Sequence, residues 1–194
     1  MLSLVKLERH EQRYLLDLAR RAILAATQGQ ELPEEEPSSS VLKQPSGAFV
    51  SLHKGGELRG CIGYILPGKA LWQTVRDCAL AAAFEDPRFD VLQAEELREL
   101  GIEISVLSGF EAIRPEEIRV GTHGLLVTQG AFRGLLLPQV ATQYRWNVQQ
   151  FLEETCLKAG LRPDAWKDSA TRIEAFTALV FSESHLAESV PPAK

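Results

Sequence analysis

The stretch Leu58-Arg59-Gly60-Cys61-Ile62-Gly63 sets a thiol between two glycines, with a guanidinium two positions before it. In a strand, side chains alternate between faces, so Arg59, Cys61 and Gly63 share one face while Leu58, Gly60, Ile62 and Tyr64 share the other, where the large apolar ones pack inward. The missing side chain of Gly63 leaves a gap beside the thiol that suits a small ligand. Arg59 on the same face favours the thiolate, the form of cysteine that attacks electrophiles. Gly60 either lets a helix approach closely or marks a bulge, and a bulge would break the parity on which the shared face depends. The same residues also fit a second account: Cys61 as a small buried hydrophobe in a central strand, with glycines that admit tight packing.

Other side chains could join such a site. Glu103 alternates with Ile102 and Ile104, so it either faces solvent or lies on the open face, where a carboxylate can act as general base or orient a substrate amine. His123, inside Gly121-Thr122-His123-Gly124, is either a base for the thiol or a turn residue. Arg88 either binds a carboxylate or phosphate, or pairs structurally with Asp86 or Glu85. Gln139, following Pro138 on a chain segment that leaves a strand, is either a polar ligand contact or a partner for backbone groups. Cys78 and Cys156 fall on apolar helix stripes and read as buried and inert. No pair of histidines or cysteines has metal-ligand spacing, so no metal is expected, and nothing specifies a cofactor.

The elements that must hold these residues are legible in outline. Apolar positions from about Leu7 to Ala26 form one stripe of an amphipathic helix, with Gly29 as its stop. Residues 30–47 carry prolines, glutamates and serines without periodicity and read as an exposed loop. Residues 48–65 alternate on both sides of Gly55-Gly56, a dipeptide suited to a tight hairpin. A helix follows and ends at Asp86-Pro87. Ile102, Ile104 and Val106 mark a strand, and residues 124–137 read as a second hairpin around Gln129-Gly130. Asn147 with Gln150 predicts a helix start and Gly160 its stop. Residues 172–183 form one extended run, and the stretch from about 186 to 194 is expected to be a flexible tail. This order predicts an α+β fold, a mainly antiparallel sheet flanked by helices, in a single domain spanning 1–194 with its core at about 7–183.

Composition narrows the function classes. The 194 residues are 45% hydrophobic and 24% charged, as in ordinary globular proteins. A net charge of -5 opposes binding to phosphate backbones, so nucleic acid is not an expected partner. No apolar run is long enough for a bilayer, so no membrane partner is expected either. Three irregularly spaced cysteines suit a reduced, cytoplasmic setting better than a disulfide framework.

Around the thiol the chain closely resembles the AMMECR domain family, also called component A of the AmmeMemoRadiSam system. LRGCIG, at Leu58 to Gly63, is that family's hallmark. AAAFEDPRF at 81–89, IEISVLS at 102–108, VGTHGLLV at 120–127, LLLPQVA at 135–141 and CLKAGL at 156–161 follow in the family's order. Asp90-Val91 stand where family members often place prolines, and the 30–47 segment is individual to this chain. The resemblance implies an α+β fold of two unequal subdomains with the motifs around a cleft between them. It also implies a genomic or fusion association with a Memo-like protein and a radical SAM enzyme. The family has no established reaction; the residues point to a small-metabolite enzyme or enzyme component using Cys61, or to a non-catalytic module that binds a ligand or protein.

Overall fold

The structure is a computed structural model that describes residues 5–188. Along the chain come α1 (Arg9–Thr27), β1 (Ala48–Lys54), β2 (Glu57–Tyr64), α2 (Leu71–Phe84) and β3 (Leu100–Leu107). They are followed by β4 (Glu111–Ala112), β5 (Gly124–Gln129), β6 (Phe132–Leu136), α3 (Pro138–Gln143), α4 (Val148–Lys158), β7 (Arg172–Phe176), β8 (Ala178–Ser182) and α5 (Glu183–Glu188). The fold is α+β, with two four-stranded sheets in the orders β2-β1-β3-β8 and β4-β7-β5-β6. The chain divides into two compact units, one formed by Leu107–Ala178 and the other by Lys6–Val106 with the segment from Leu179 onward.

The larger unit is built on the hairpin. Gly55 and Gly56 both take positive φ, 60° and 88°, which is the two-residue turn whose twist matches paired strands. Alternation in β1 sends Ala48, Val50 and Leu52 into full burial, and α2 packs over β1 and β2 on that side, with α1 against α2. Leu15, Leu18, Ala22 and Ile23 supply the buried stripe of α1, spaced as expected. Its first turn is closed by Glu11, whose carboxylate accepts from the Glu8 amide at 2.7 Å.

The 30–47 segment is largely exposed and free of helix and strand, as expected, but it is anchored to the fold at a few points. Leu42 is only 1% exposed, and its carbonyl accepts from the Trp72 amide while Gln44 accepts from Leu71. Tyr14 of α1 donates to the Glu35 carbonyl and Ser39 to the Glu11 carboxylate. Leu42 and Pro37 are its buried anchors, and the backbone at the start of α2 finds in the segment the acceptors it needs. The expected tail also differs: residues 186–188 belong to α5, and 189–194 lie outside the described residues.

In the smaller unit, Leu125, Phe151, Leu152 and Ala175 form the buried core. Asn147 caps α4, accepting from the Gln150 amide at 2.9 Å, and Gly160 ends it with φ 77°, both as expected. Residues 172–182 are not one strand: Thr177 separates β7 from β8, which lie in different sheets. Hydrophobic alternation runs through both halves, so periodicity alone reads them as one element.

The end of α3 carries a strained residue. Arg145 has φ 56°; its amide donates to Thr142 and the Trp146 amide to Ala141, the bond pair of a helix end that usually places glycine in the left-handed position. Because an L side chain there costs about 1–2 kcal/mol and glycine gives part of that back in unfolded-chain entropy, Arg145→Gly is expected to raise stability by roughly 0.5 kcal/mol. Urea unfolding checks this, and a clear loss of stability would show that the arginine side chain holds the turn.

Candidate functional site

Cys61 sits on β2, the end strand of its sheet. Opposite it on β1 is Ser51, and Ser51 is in turn opposite Glu103 on β3. Three strands thus place Cys61, Ser51 and Glu103 in one row on one face, away from the Val50 and Leu52 side that α2 covers. The main chain of Cys61 points outward from the sheet: its amide donates to Asp86 Oδ2 at 2.8 Å, and its carbonyl accepts from Arg88 Nη2 at 3.2 Å. It therefore exchanges no ladder bonds with Ser51, and such pairs bring their side chains closest. Ser51 Oγ accordingly donates to Cys61 Sγ at 3.2 Å.

Asp86, 5% exposed, is the centre of this arrangement. Besides the Cys61 amide, it accepts from the Arg88 amide at 3.1 Å and from the Arg88 guanidinium at 2.9 Å and 2.7 Å. The Arg88 side-chain bonds, joined by those two amides and opposed by burial, hold its carboxyl well below the ordinary carboxylate range. Arg88 takes its structural role here, pairing with Asp86, while the far side of its guanidinium remains open at 56% side-chain exposure. Carboxylate and guanidinium also occupy an end-strand edge that another chain could otherwise pair with.

Arg59 is displaced from the face expected for it. The β1–β2 register shifts between Leu52, which pairs with Gly60, and His53, which pairs with Leu58. Arg59 is the extra residue of a bulge, and the parity argument fails at that point. Its guanidinium is taken up by Glu96, with Nε to Oε1 at 3.1 Å and Nη2 to Oε2 at 2.9 Å, and Lys54 adds a third bond at 3.1 Å. Glu96 is drawn down to about 2, chiefly by the Arg59 hydrogen bonds. The guanidinium beside Cys61 is that of Arg88, whose own pKa is raised first by Asp86 and least by the Cys61 sulfur.

The two glycines also differ from the expected picture in part. Gly60 faces α2, and a Cβ there would run into the Ala82 carbonyl, so close helix approach and a neighbouring bulge both occur. At Gly63 the expected gap is filled: the ring of Phe49, its partner on β1, covers the position, as aromatic side chains commonly do over strand glycines. Leu58 and Tyr64, expected to pack inward, are 40% and 45% exposed. Beyond the bulge Leu58 pairs with His53 and so falls on the face opposite Leu52, and Tyr64 ends the strand.

Of the remaining candidates, Glu103 lies on the thiol's face. His123 and Gln139 belong to the smaller unit. His123 Nδ1 accepts from the Arg119 amide at 3.2 Å, and burial with Arg119 lowers its pKa, as suits a turn residue. Gln139 is exposed on the first turn of α3. Cys78 and Cys156 are fully buried, and burial pushes Cys78 up to about 12 and Cys156 upward. Among the described residues no cluster of His, Cys, Asp or Glu could hold a metal, and no helix is long and apolar enough to cross a membrane. Ser51, Asp86 and Glu96 were not anticipated as parts of the site. Ser51 could have been found by alternation from the hairpin turn, but the other two depend on chain folding between α2 and β3.

Similarity to known proteins agrees with the local motifs. The AMMECR1 family matches residues 16–181. The chain belongs to the AMMECR1 family. A protein of Methanothermobacter thermautotrophicus is 44% identical over 187 residues, spanning 91% of this chain and 96% of that protein. A second relative, from Thermococcus kodakarensis, is 41% identical over 186 residues and spans 89% of this chain and 90% of its own. The crystal structure of an uncharacterized protein from Pyrococcus horikoshii superposes with a TM-score of 0.82 at 40% identity, covering 88% of this chain and 90% of that one.

Proposed function

We propose that this AMMECR1-family protein handles a small electrophilic metabolite at Cys61, as a cytoplasmic enzyme or enzyme component. The observation that carries this is the Ser51 Oγ to Cys61 Sγ hydrogen bond of 3.2 Å at a half-buried thiol, in a chain whose other two cysteines are sealed. A hydroxyl donor on sulfur stabilises the negative charge that sulfur carries when it attacks. In the acyl-transfer form of the reaction, sulfur bonds to the carbonyl carbon, the carbon releases its leaving group, and the thiol proton ends on that group. The Memo-like and radical SAM proteins that the family resemblance implies as associates are the proposed sources or consumers of such a metabolite.

Iodoacetamide labelling followed by mass spectrometry tests the reading. Cys61 is expected to react at least about tenfold faster than Cys78 or Cys156 in the folded protein, and Ser51→Ala to slow it. Equal, slow labelling of all three would remove the thiol from the mechanism. One observation favours a second reading, a non-catalytic binding module: Asp86 and Arg88 grip the main chain of Cys61 and not its sulfur. On that reading Cys61→Ser leaves binding of a ligand or partner intact.

A further inference from the structure

We infer that the site at Cys61 takes substrates that carry a positively charged nitrogen, seated at Glu103. The inference rests on the reading of Cys61 as a reactive thiol. A hollow of about 270 Å³ opens beside the row, lined by His53, Gly101, Glu103, Ser182, Ser184 and His185 among others. Gly101 faces His53 across the β1–β3 pair, and a side chain at that position would meet almost nothing, so its absence leaves the hollow deep on that side. The lining carries two carboxylates, Glu103 and Glu183, beside serine hydroxyls and imidazoles. An ammonium brings three donors and no acceptor, so it suits the carboxylates of this lining, which would repel an anion.

Charge matching around the row leads to the same class. Arg88 is answered by Asp86, Arg59 and Lys54 share Glu96 toward the hairpin end, and Glu183 at the rim is held by Arg20 at 2.6 Å while also accepting from the Ile102 amide at 3.0 Å. Among the described residues no lysine or arginine pairs with Glu103, which is half-buried, where an unmatched charge acts more strongly than in open water. Glu103 and Cys61 stand two strands apart, roughly 10 Å between backbones. A short aminoalkyl chain spans the remaining gap once both side chains project from the sheet.

Charged thiol reagents test this directly. In aminoethyl and sulfonatoethyl methanethiosulfonate the Cys61 sulfur attacks the sulfenyl sulfur, a protein disulfide forms, and methanesulfinate leaves; the two reagents differ chiefly in the charge they carry. Relative to the same reagents with free glutathione, Cys61 is expected to favour the aminoethyl form by about tenfold or more. Glu103→Gln is expected to abolish that preference, while Glu99→Gln at an exposed position keeps it. No preference in the unsubstituted protein, or one that survives Glu103→Gln, overturns the inference while the thiol reading stands. Failure of Cys61 to react even with the uncharged methyl reagent overturns both.

Discussion

Gly60→Ala is expected to destabilise the fold by roughly 3 kcal/mol, at the upper end of what overpacking costs. The added methyl would press on the Ala82 carbonyl, a backbone atom in the last turn of α2 that no rotamer change can move aside. Either β2 must lift from the helix or α2 must shift away from β1, and both expose side chains such as Val50, Leu52, Val75 and Ala79 that are now fully buried. For a chain of this length, 3 kcal/mol corresponds to a fall in melting temperature of about 6–12 °C. Thermal unfolding followed by circular dichroism measures it, and a shift below about 2 °C would mean that the helix and strand are not pinned at this point. The equivalent change at Gly130, where a side chain meets open space but φ is 58°, should cost no more than about 1 kcal/mol or two, which separates packing from backbone strain.

Asp86→Ala is expected to cost about 3 kcal/mol at neutral pH, because it strips a buried acceptor from the Cys61 amide and from Arg88, and bonds to charged groups are each worth roughly 1.5–3 kcal/mol. The loss has a defined pH dependence. The folded-state pKa of Asp86 is depressed, so its stabilisation is fully present above the unfolded value, near 3.9, and drains away as pH falls toward the folded one. The gap in stability between the unsubstituted protein and the variant should therefore be constant from about pH 5 to 7 and narrow below about pH 4. Glu96, also depressed, gives both proteins the same acid sensitivity and cancels from the difference. Denaturant titrations from pH 2.5 to 7 measure the gap; one that stays constant throughout would show that Asp86 is not ionised against Arg88. The same variant should alter Cys61 alkylation, since the strand edge that presents the sulfur loses its anchor.

How far the sequence foretells this arrangement depends on the range over which each signal acts. The hairpin at Gly55-Gly56, the cap at Asn147 and the stop at Gly160 were legible because the residues that decide them are adjacent in the chain. The face carrying Cys61 and Glu103 was legible to the extent that strand alternation holds. Alternation fails at a bulge, and nothing in Leu58-Arg59-Gly60 distinguishes a bulge from a regular strand before Leu52 and His53 choose their partners. The exchange of Arg59 for Arg88 as the neighbour of Cys61 follows from that failure together with a contact across 25 residues, between the Cys61 amide and Asp86. The filled space at Gly63 has the same origin: a glycine reads as an opening only until the cross-strand residue is known, and here it is a phenylalanine.

The jump of the chain at Thr177 has a consequence for biosynthesis. Residues 107–178 form a unit of their own between the two portions of the other, and β8, the fourth strand of the first sheet, comes only after it. As the polypeptide leaves the ribosome, β1, β2 and β3 emerge early yet must wait through some seventy residues for the strand that completes them and for Glu183, the partner of Arg20. During that interval the outer edge of β3 stands without its neighbour, so vectorial synthesis leaves the half-built sheet dependent on its hairpin, on α2 and on the Asp86 anchor.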